Sequence, residues 1–237
     1  MKNNLKNTSI NVFNNHYKGK GMSSQRMYPN ESLIQFIASN YFKLDFNKRK
    51  KIKILEVGSG SGANLWMLAK EGFDVYGLDS SSKGTQLAKQ HLNDKWGVDV
   101  NLTVGDFTNL PYEDNFFDAV IDVVSLQHIN LNDTTKAFNQ VMRVLKSSGK
   151  FFSYRLSDHS VMYKNGGGKL LDSSTIDNIA DVNMPLANNG PIAFWSPVTC
   201  EQMYRKSELQ IDSIEKIART YANGMFVEYL SIYSHKD

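Results

Sequence analysis

The segment Gly58-Ser59-Gly60-Ser61-Gly62-Ala63 restricts the possible folds more than any other stretch of the chain. It follows directly on Ile52–Val57, which has the β-branched character of a buried strand, and it runs directly into the helical stretch Ala63–Lys70. Glycines between a strand and a helix let the backbone turn sharply and approach a ligand with no Cβ in the way. Gly58-x-Gly60-x-x-Ala63 also fits the dinucleotide pattern G-x-G-x-x-G/A, so the loop by itself points to a nucleotide-type ligand without choosing one.

The chain continues in the same rhythm. Phe73–Leu78 reads as a second strand, Lys83–Leu92 as a helix and Val100–Val104 as a third strand. A fourth strand, Phe117–Val124, precedes a helix capped at Asn132 or Asp133, and Ser147-Ser148-Gly149 turns into a fifth strand, Lys150–Arg155. Strands separated by helices of this length favour a parallel sheet covered on both faces. Two further strand-like runs, Leu209–Ile217 and Met225–Tyr233, meet at a turn near Asn223-Gly224 and suit an antiparallel pair at the sheet edge.

Two segments lie outside this pattern. Residues 1–30 read as a flexible arm, followed by an amphipathic cap helix from Asn30 to Tyr41, so that 1–46 form an N-terminal arm and cap. Residues 156–196, with Gly166-Gly167-Gly168, Asn188-Asn189-Gly190, Pro185 and Pro191, and with Pro197 just beyond, read as a substrate-lid insertion. Phe13, Tyr17, Tyr28, Tyr163, Phe194 and Trp195 offer apolar surface for closing these segments over a ligand. The expectation is a single domain over 1–237.

Composition removes several classes of function. With 27 basic and 24 acidic residues the net charge is +3, a weak field for a nucleic-acid binder. One cysteine, Cys200, cannot make an internal disulfide, and no apolar run reaches the roughly 18 residues of a membrane span. A cytoplasmic location and a small-molecule partner follow as expectations, with the oligomeric state left open. No tight metal-ligand spacing is present among the histidines and carboxylates, and the expectation is a metal-free site.

Two acids end consecutive strands beside the glycine loop. Asp79 lies 21 residues after Gly58, where a carboxylate accepts hydrogen bonds from ribose hydroxyls, and Asp106 with Phe107 is placed to meet an adenine ring.

Together Ile54–Gly62, Val75–Asp79, Gly105-Asp106-Phe107 with Leu110-Pro111-Tyr112, Phe116–Ile121 and Val144–Lys150 resemble, in order, the class I S-adenosylmethionine-dependent methyltransferases, especially small-molecule enzymes related to those of ubiquinone biosynthesis. The resemblance covers roughly Ile52 to Phe152. It implies a Rossmann-like, mostly parallel seven-stranded α/β sheet with an antiparallel last strand. It also implies S-adenosylmethionine as cofactor, with Glu56 and the loop residues Gly58, Ser59, Gly60 and Gly62 at its methionine part, Asp79 at the ribose, and Asp106 with Phe107 at the adenine. Asn64, Ser80, Asp122 and Val123 are counted with the same site. In the arm, Arg26 could pair with the methionine carboxylate, and Tyr17 and Tyr28 could close the pocket. The turn Lys146-Ser147-Ser148-Gly149 departs from the family's usual Lys-Pro-Gly-Gly.

The exit of the fourth strand, Asp122–His128, lacks the Asn/Asp-Pro-Pro-Tyr of base-directed enzymes of this class, which turns the reading away from nucleic acid. His128 is the candidate general base, with packing against substrate or cofactor as the alternative role. The reaction read from these residues is methyl transfer to an O or N of a small polar molecule, with a sugar or surface-glycan intermediate as a candidate acceptor. An NAD(P)-dependent oxidoreductase and a non-catalytic cofactor-binding protein are the rival readings.

Overall fold

The computed structural model describes residues 4–237. Seven strands form one sheet: β1 (Lys53–Val57), β2 (Asp74–Asp79), β3 (Asn101–Val104), β4 (Phe117–Val123), β5 (Leu145–Leu156), and, after two short strands β6 (Thr175–Ile176) and β7 (Ile192–Ala193) that form a separate two-stranded sheet, β8 (Leu209–Thr220) and β9 (Phe226–Lys236). The sheet order is β3-β2-β1-β4-β5-β9-β8. The first five strands pair in parallel, whereas β9 runs antiparallel to both β5 and β8, as the strand patterns imply.

The helices are α1 (Asn4–Lys20), α2 (Glu31–Tyr41), α3 (Phe46–Arg49), α4 (Leu65–Lys70), α5 (Ser82–His91), α6 (Leu131–Val144), α7 (Val161–Asn165) and α8 (Pro197–Lys206). Strand alternation explains why both sheet faces are covered. In β4, Val120 joins Phe138, Val141 and Tyr204 of α6 and α8 on one face, while Ala119 and Ile121 join Leu33, Phe36 and Leu65 of α2 and α4 on the other. Leu33, Phe36 and Ile37 of α2 are fully buried, each contributing about 1.5–3 kcal/mol. Asn30 caps this helix by accepting from Leu33 N. No helix among the described residues is long and apolar enough to cross a membrane.

Four expectations need correction. Most of the arm is helical. The five asparagines of α1 are poor helix formers, but Ser9, Ile10, Phe13 and Tyr17 recur at helical spacing on one side, and packing of that side against the sheet exits outweighs propensity. The cap of α6 is Asn130, whose side chain accepts from Asp133 N, two residues before the earliest expected cap. The turn at Ser147–Gly149 lies inside β5, where Ser148 adopts φ 61° and the pairing to β4 shifts register. Finally, Phe194 and Trp195 are not lid surface. Phe194 packs in a small cluster with Leu156, Met162 and Ile192, and Trp195 lies in the main core.

Candidate active site

At the strand exits a cavity of about 680 Å³ opens over the glycine loop, within the range of small-molecule sites. Gly58, Ser59 and Gly60 line it. The loop is pinned from below, since Gly58 N and Ser59 N both donate to Leu78 O at 2.7 and 3.0 Å.

Asp79 and Ser80 lie on the wall, and the Asp79 carboxylate accepts from Gly60 N at 2.9 Å and from Ser81 N at 2.8 Å. It thus ties β2 to the loop and keeps acceptor capacity for a ligand. Burial raises its pKa, and the two backbone N–H groups pull it back. Asp106 and Phe107 line the same end, with Asp106 accepting from Thr108 N and Thr108 Oγ1.

Glu56 lies at the base of the cavity and is buried. One oxygen accepts from Asn64 Nδ2, and Oε2 is buried with no hydrogen-bond partner among the described residues. Desolvation pushes its pKa up to about 8, against the opposing effects of Asn64 and of the Arg26 guanidinium.

At the exit of β4, Val123, Val124, Ser125 and His128 line the cavity. Val124 has φ 58°, a left-handed conformation that costs a β-branched residue about 1–3 kcal/mol. His128 is buried, and its Nδ1 lies 3.3 Å from Pro191 O. A carbonyl only accepts, so Nδ1 carries the proton and Nε2 keeps its lone pair. Burial lowers the imidazole pKa to about 4, well below the ordinary value on which the choice of this residue as a base rested.

α1 covers this region. Ser9 Oγ donates to His128 O at 3.0 Å, the Phe13 ring meets His128 edge-on at 4.9 Å, and Tyr17 is buried against Gly84 with its hydroxyl over Gly60.

The cavity lining thus brings together Glu56, Gly58, Ser59, Gly60, Asp79, Ser80, Asp106, Phe107, Val123, His128, Arg26 and Tyr17. Four expected residues stand elsewhere. Tyr28 is 61% exposed and turns outward onto Trp66 and Trp96, because Trp66 Nε1 donates to Met27 O and draws that segment to the outer surface. Gly62 backs onto Leu92. Asn64 is a buried brace between Glu56 and Asn30 N. Asp122 is spent on Ser125 N, Ser125 Oγ, Leu126 N and Ser153 Oγ, which hold the exit of β4 in place. Conversely, Tyr154, Arg219, Tyr221 and Tyr229 line the cavity and escaped sequence reasoning. They sit in strands or their connecting turn, and only the pairing of β9 with β5 carries the β8–β9 hairpin to the site.

Residues 55–153 match a family model described as a methyltransferase domain. The chain is 35% identical over 98 residues to a demethylmenaquinone methyltransferase of Renibacterium salmoninarum, an alignment covering 41% of this chain and 38% of that protein. It is 24% identical over 225 residues to a sterol 24-C-methyltransferase of Neurospora crassa, covering 82% of this chain and 58% of the relative. The chain spans half or less of the length of the demethylmenaquinone methyltransferases it matches. A crystal structure of an S-adenosylmethionine-dependent methyltransferase from Methanosarcina mazei superposes with a TM-score of 0.69 at 20% identity, covering 90% of this chain and 99% of that one, a likeness of fold.

Proposed function

We propose that this chain, which carries a class I S-adenosylmethionine-dependent methyltransferase domain related to those of quinone biosynthesis, moves a methyl group to an oxygen or nitrogen of a small molecule held at the exits of β4 and β5. The observation that carries this reading is Glu56 Oε2. A buried carboxyl oxygen without a partner among the described residues, on a side chain that lines the same cavity as Arg26, fits the ammonium of the cofactor's methionine part, and Arg26 fits its carboxylate. Asp79 would hold the ribose, and Asp106 with Phe107 the adenine. When bound, S-adenosylmethionine supplies an electrophilic methyl carbon on a sulfonium.

The chain's own contribution is placement and dryness. Holding an acceptor in line beside its reaction partner can supply roughly 7–11 kcal/mol of the barrier. α1 covers the cavity with Ile10, Phe13 and Tyr17, and Leu186 and Asn189 of the insertion add to the wall near His128, which supports a lid role for part of 156–196. His128 Nε2 accepts the acceptor's proton as the new bond forms. The ring is neutral at every pH above about 5, so this nitrogen is available throughout the neutral range. The acceptor is a small molecule, not nucleic acid. A cytoplasmic setting suits a chain whose one cysteine, the buried Cys200, can make no internal disulfide.

Two experiments test the reading. Asp79→Ala should weaken S-adenosylhomocysteine binding by roughly 10- to 150-fold in calorimetry, because hydrogen bonds to a charged acceptor are lost and the loop is released. Unchanged affinity, or tight NADH binding with none for S-adenosylhomocysteine, would sink the assignment. His128→Ala should lower kcat by on the order of 10²-fold while S-adenosylhomocysteine affinity moves by less than about threefold. The acid limb of the wild-type rate profile should lie near pH 4–5, not 6.5. A mutant with normal turnover removes His128 from proton transfer.

A further inference from the structure

The two ends of the cavity differ in chemistry. Glu56, Asp79 and Asp106 make one end acidic, while the other is built by Tyr154 of β5, Tyr229 of β9, and Arg219 and Tyr221 of the hairpin, with Arg26 between the two. The rings of Tyr154 and Tyr229 stack with centroids 4.8 Å apart and planes 15° apart, so their edges and hydroxyls form one rigid platform. Both Arg26 and Arg219 lie close enough for their charges to favour the anionic form of each phenol. The arginine ion pairs among the described residues are Arg49–Glu71 and Arg143–Asp114, and neither includes Arg26 or Arg219. Glu31, also on the lining, belongs to the first turn of α2, where the helix N-terminus favours a negative charge.

A planar cation without a carboxylate partner, set beside two phenol donors at a cavity mouth, recognises an oxyanion through parallel N–H···O bonds. Arg26 is shared with the Glu56 end, which leaves Arg219 as the specific group. We propose that the methyl acceptor carries an oxyanion group, a carboxylate or a phosphate, which Arg219 holds against the Tyr154–Tyr229 platform. This inference rests on the methyltransferase reading and narrows its acceptor to acid-bearing molecules, in contrast to a neutral quinone or sterol. Arg219 is exposed on the rim, so replacing it leaves the core intact.

Matched probes test it by calorimetry, with the protein both free and saturated with S-adenosylhomocysteine: 4-hydroxybenzoate against 4-hydroxybenzamide for a carboxylate, and phenyl phosphate against phenol for a phosphate. At least one anionic probe should bind about tenfold or more tightly than its neutral counterpart, and the pair with the larger ratio names the anion. Arg219→Gln should erase that preference and leave the neutral probes within about threefold of wild type, and Arg219→Lys should restore part of it. Equal or absent binding within both pairs, or a preference that survives Arg219→Gln, overturns the proposal. Failure of S-adenosylhomocysteine itself to bind is a separate result that strikes the methyltransferase reading, while the anion preference is still read on the free protein.

Discussion

Gly58→Ala should lower the melting temperature by on the order of 10 °C and abolish measurable S-adenosylhomocysteine binding. Gly58 has φ +69°, and a Cβ built there would stand 2.2 Å from Ser125 Cβ and 2.6 Å from Ser125 Oγ. Ser125 cannot give way, because its hydroxyl donates to Val57 O and contacts Asp122 Oδ1 while its N–H donates to the same carboxylate. Overpacking of about 1–3 kcal/mol adds to about 1–2 kcal/mol for a left-handed alanine, and a chain of this size shifts by about 2–4 °C per kcal/mol. The alternative to instability is displacement of the loop, which breaks its hydrogen bonds to Leu78 O and Asp79 and reshapes the cavity wall that Gly58, Ser59 and Gly60 form. Calorimetric melting of the single variant and of Gly58→Ala/Ser125→Gly checks the account, since the second change relieves the collision but not the dihedral strain. The double variant should recover part of the loss. Equal melting of Gly58→Ala and wild type would show that the β1 exit is looser than this geometry allows.

The ligand-free protein should lose stability as pH rises from 6.5 to 8, and Glu56→Gln should not. The Glu56 carboxyl is pushed up to about 8 in the folded protein and titrates near 4.5 when unfolded, so over that interval the folded chain holds a proton that the unfolded chain has released. Stability from this source is complete below about pH 4.5 and is drained as pH climbs through 8, a total of roughly 3–5 kcal/mol. His128 acts with the opposite sign. Its folded value of about 4 lies below the unfolded 6.5, so its contribution is present above 6.5 and lost as pH falls toward 4. Above 6.5 the histidine is therefore silent, and the Glu56 part amounts to about 2 kcal/mol. Urea unfolding at pH 6.5 and 8, on wild type and Glu56→Gln, measures the difference. A wild-type midpoint that does not fall over this interval, or a variant that falls as steeply, would mean that Glu56 is already ionised in the empty protein.

Much of this site was readable from one end of the chain to the other because its signals are local. A glycine loop between a strand and a helix, and acids at the ends of the next two strands, need only neighbouring residues to be recognised, and Gly58, Asp79 and Asp106 stand where that spacing puts them. Direction was less legible than position. Asn64 and Asp122 occur in the right segments but turn into the protein, where each satisfies buried partners. Tyr28, two residues after Arg26, follows Trp66 and Trp96 outward. Nor did the asparagine-rich run of α1 announce a helix, since its stability comes from Phe13 and Tyr17 meeting His128 and the glycine loop, more than 40 residues away in sequence.

From sequence alone came the alternation of strands and helices, the antiparallel closing pair, and most of the residues that line the cavity at the exits of β1, β2 and β3, because periodicity and turn chemistry are written in consecutive residues. The tertiary structure alone decided which acids face the cavity, that His128 is a buried neutral imidazole, and that Arg219 and the tyrosines of β5 and β9 reach the far wall. Those properties depend on burial and on contacts between segments distant in the chain. Desolvation and side-chain direction exist only once the sheet has assembled.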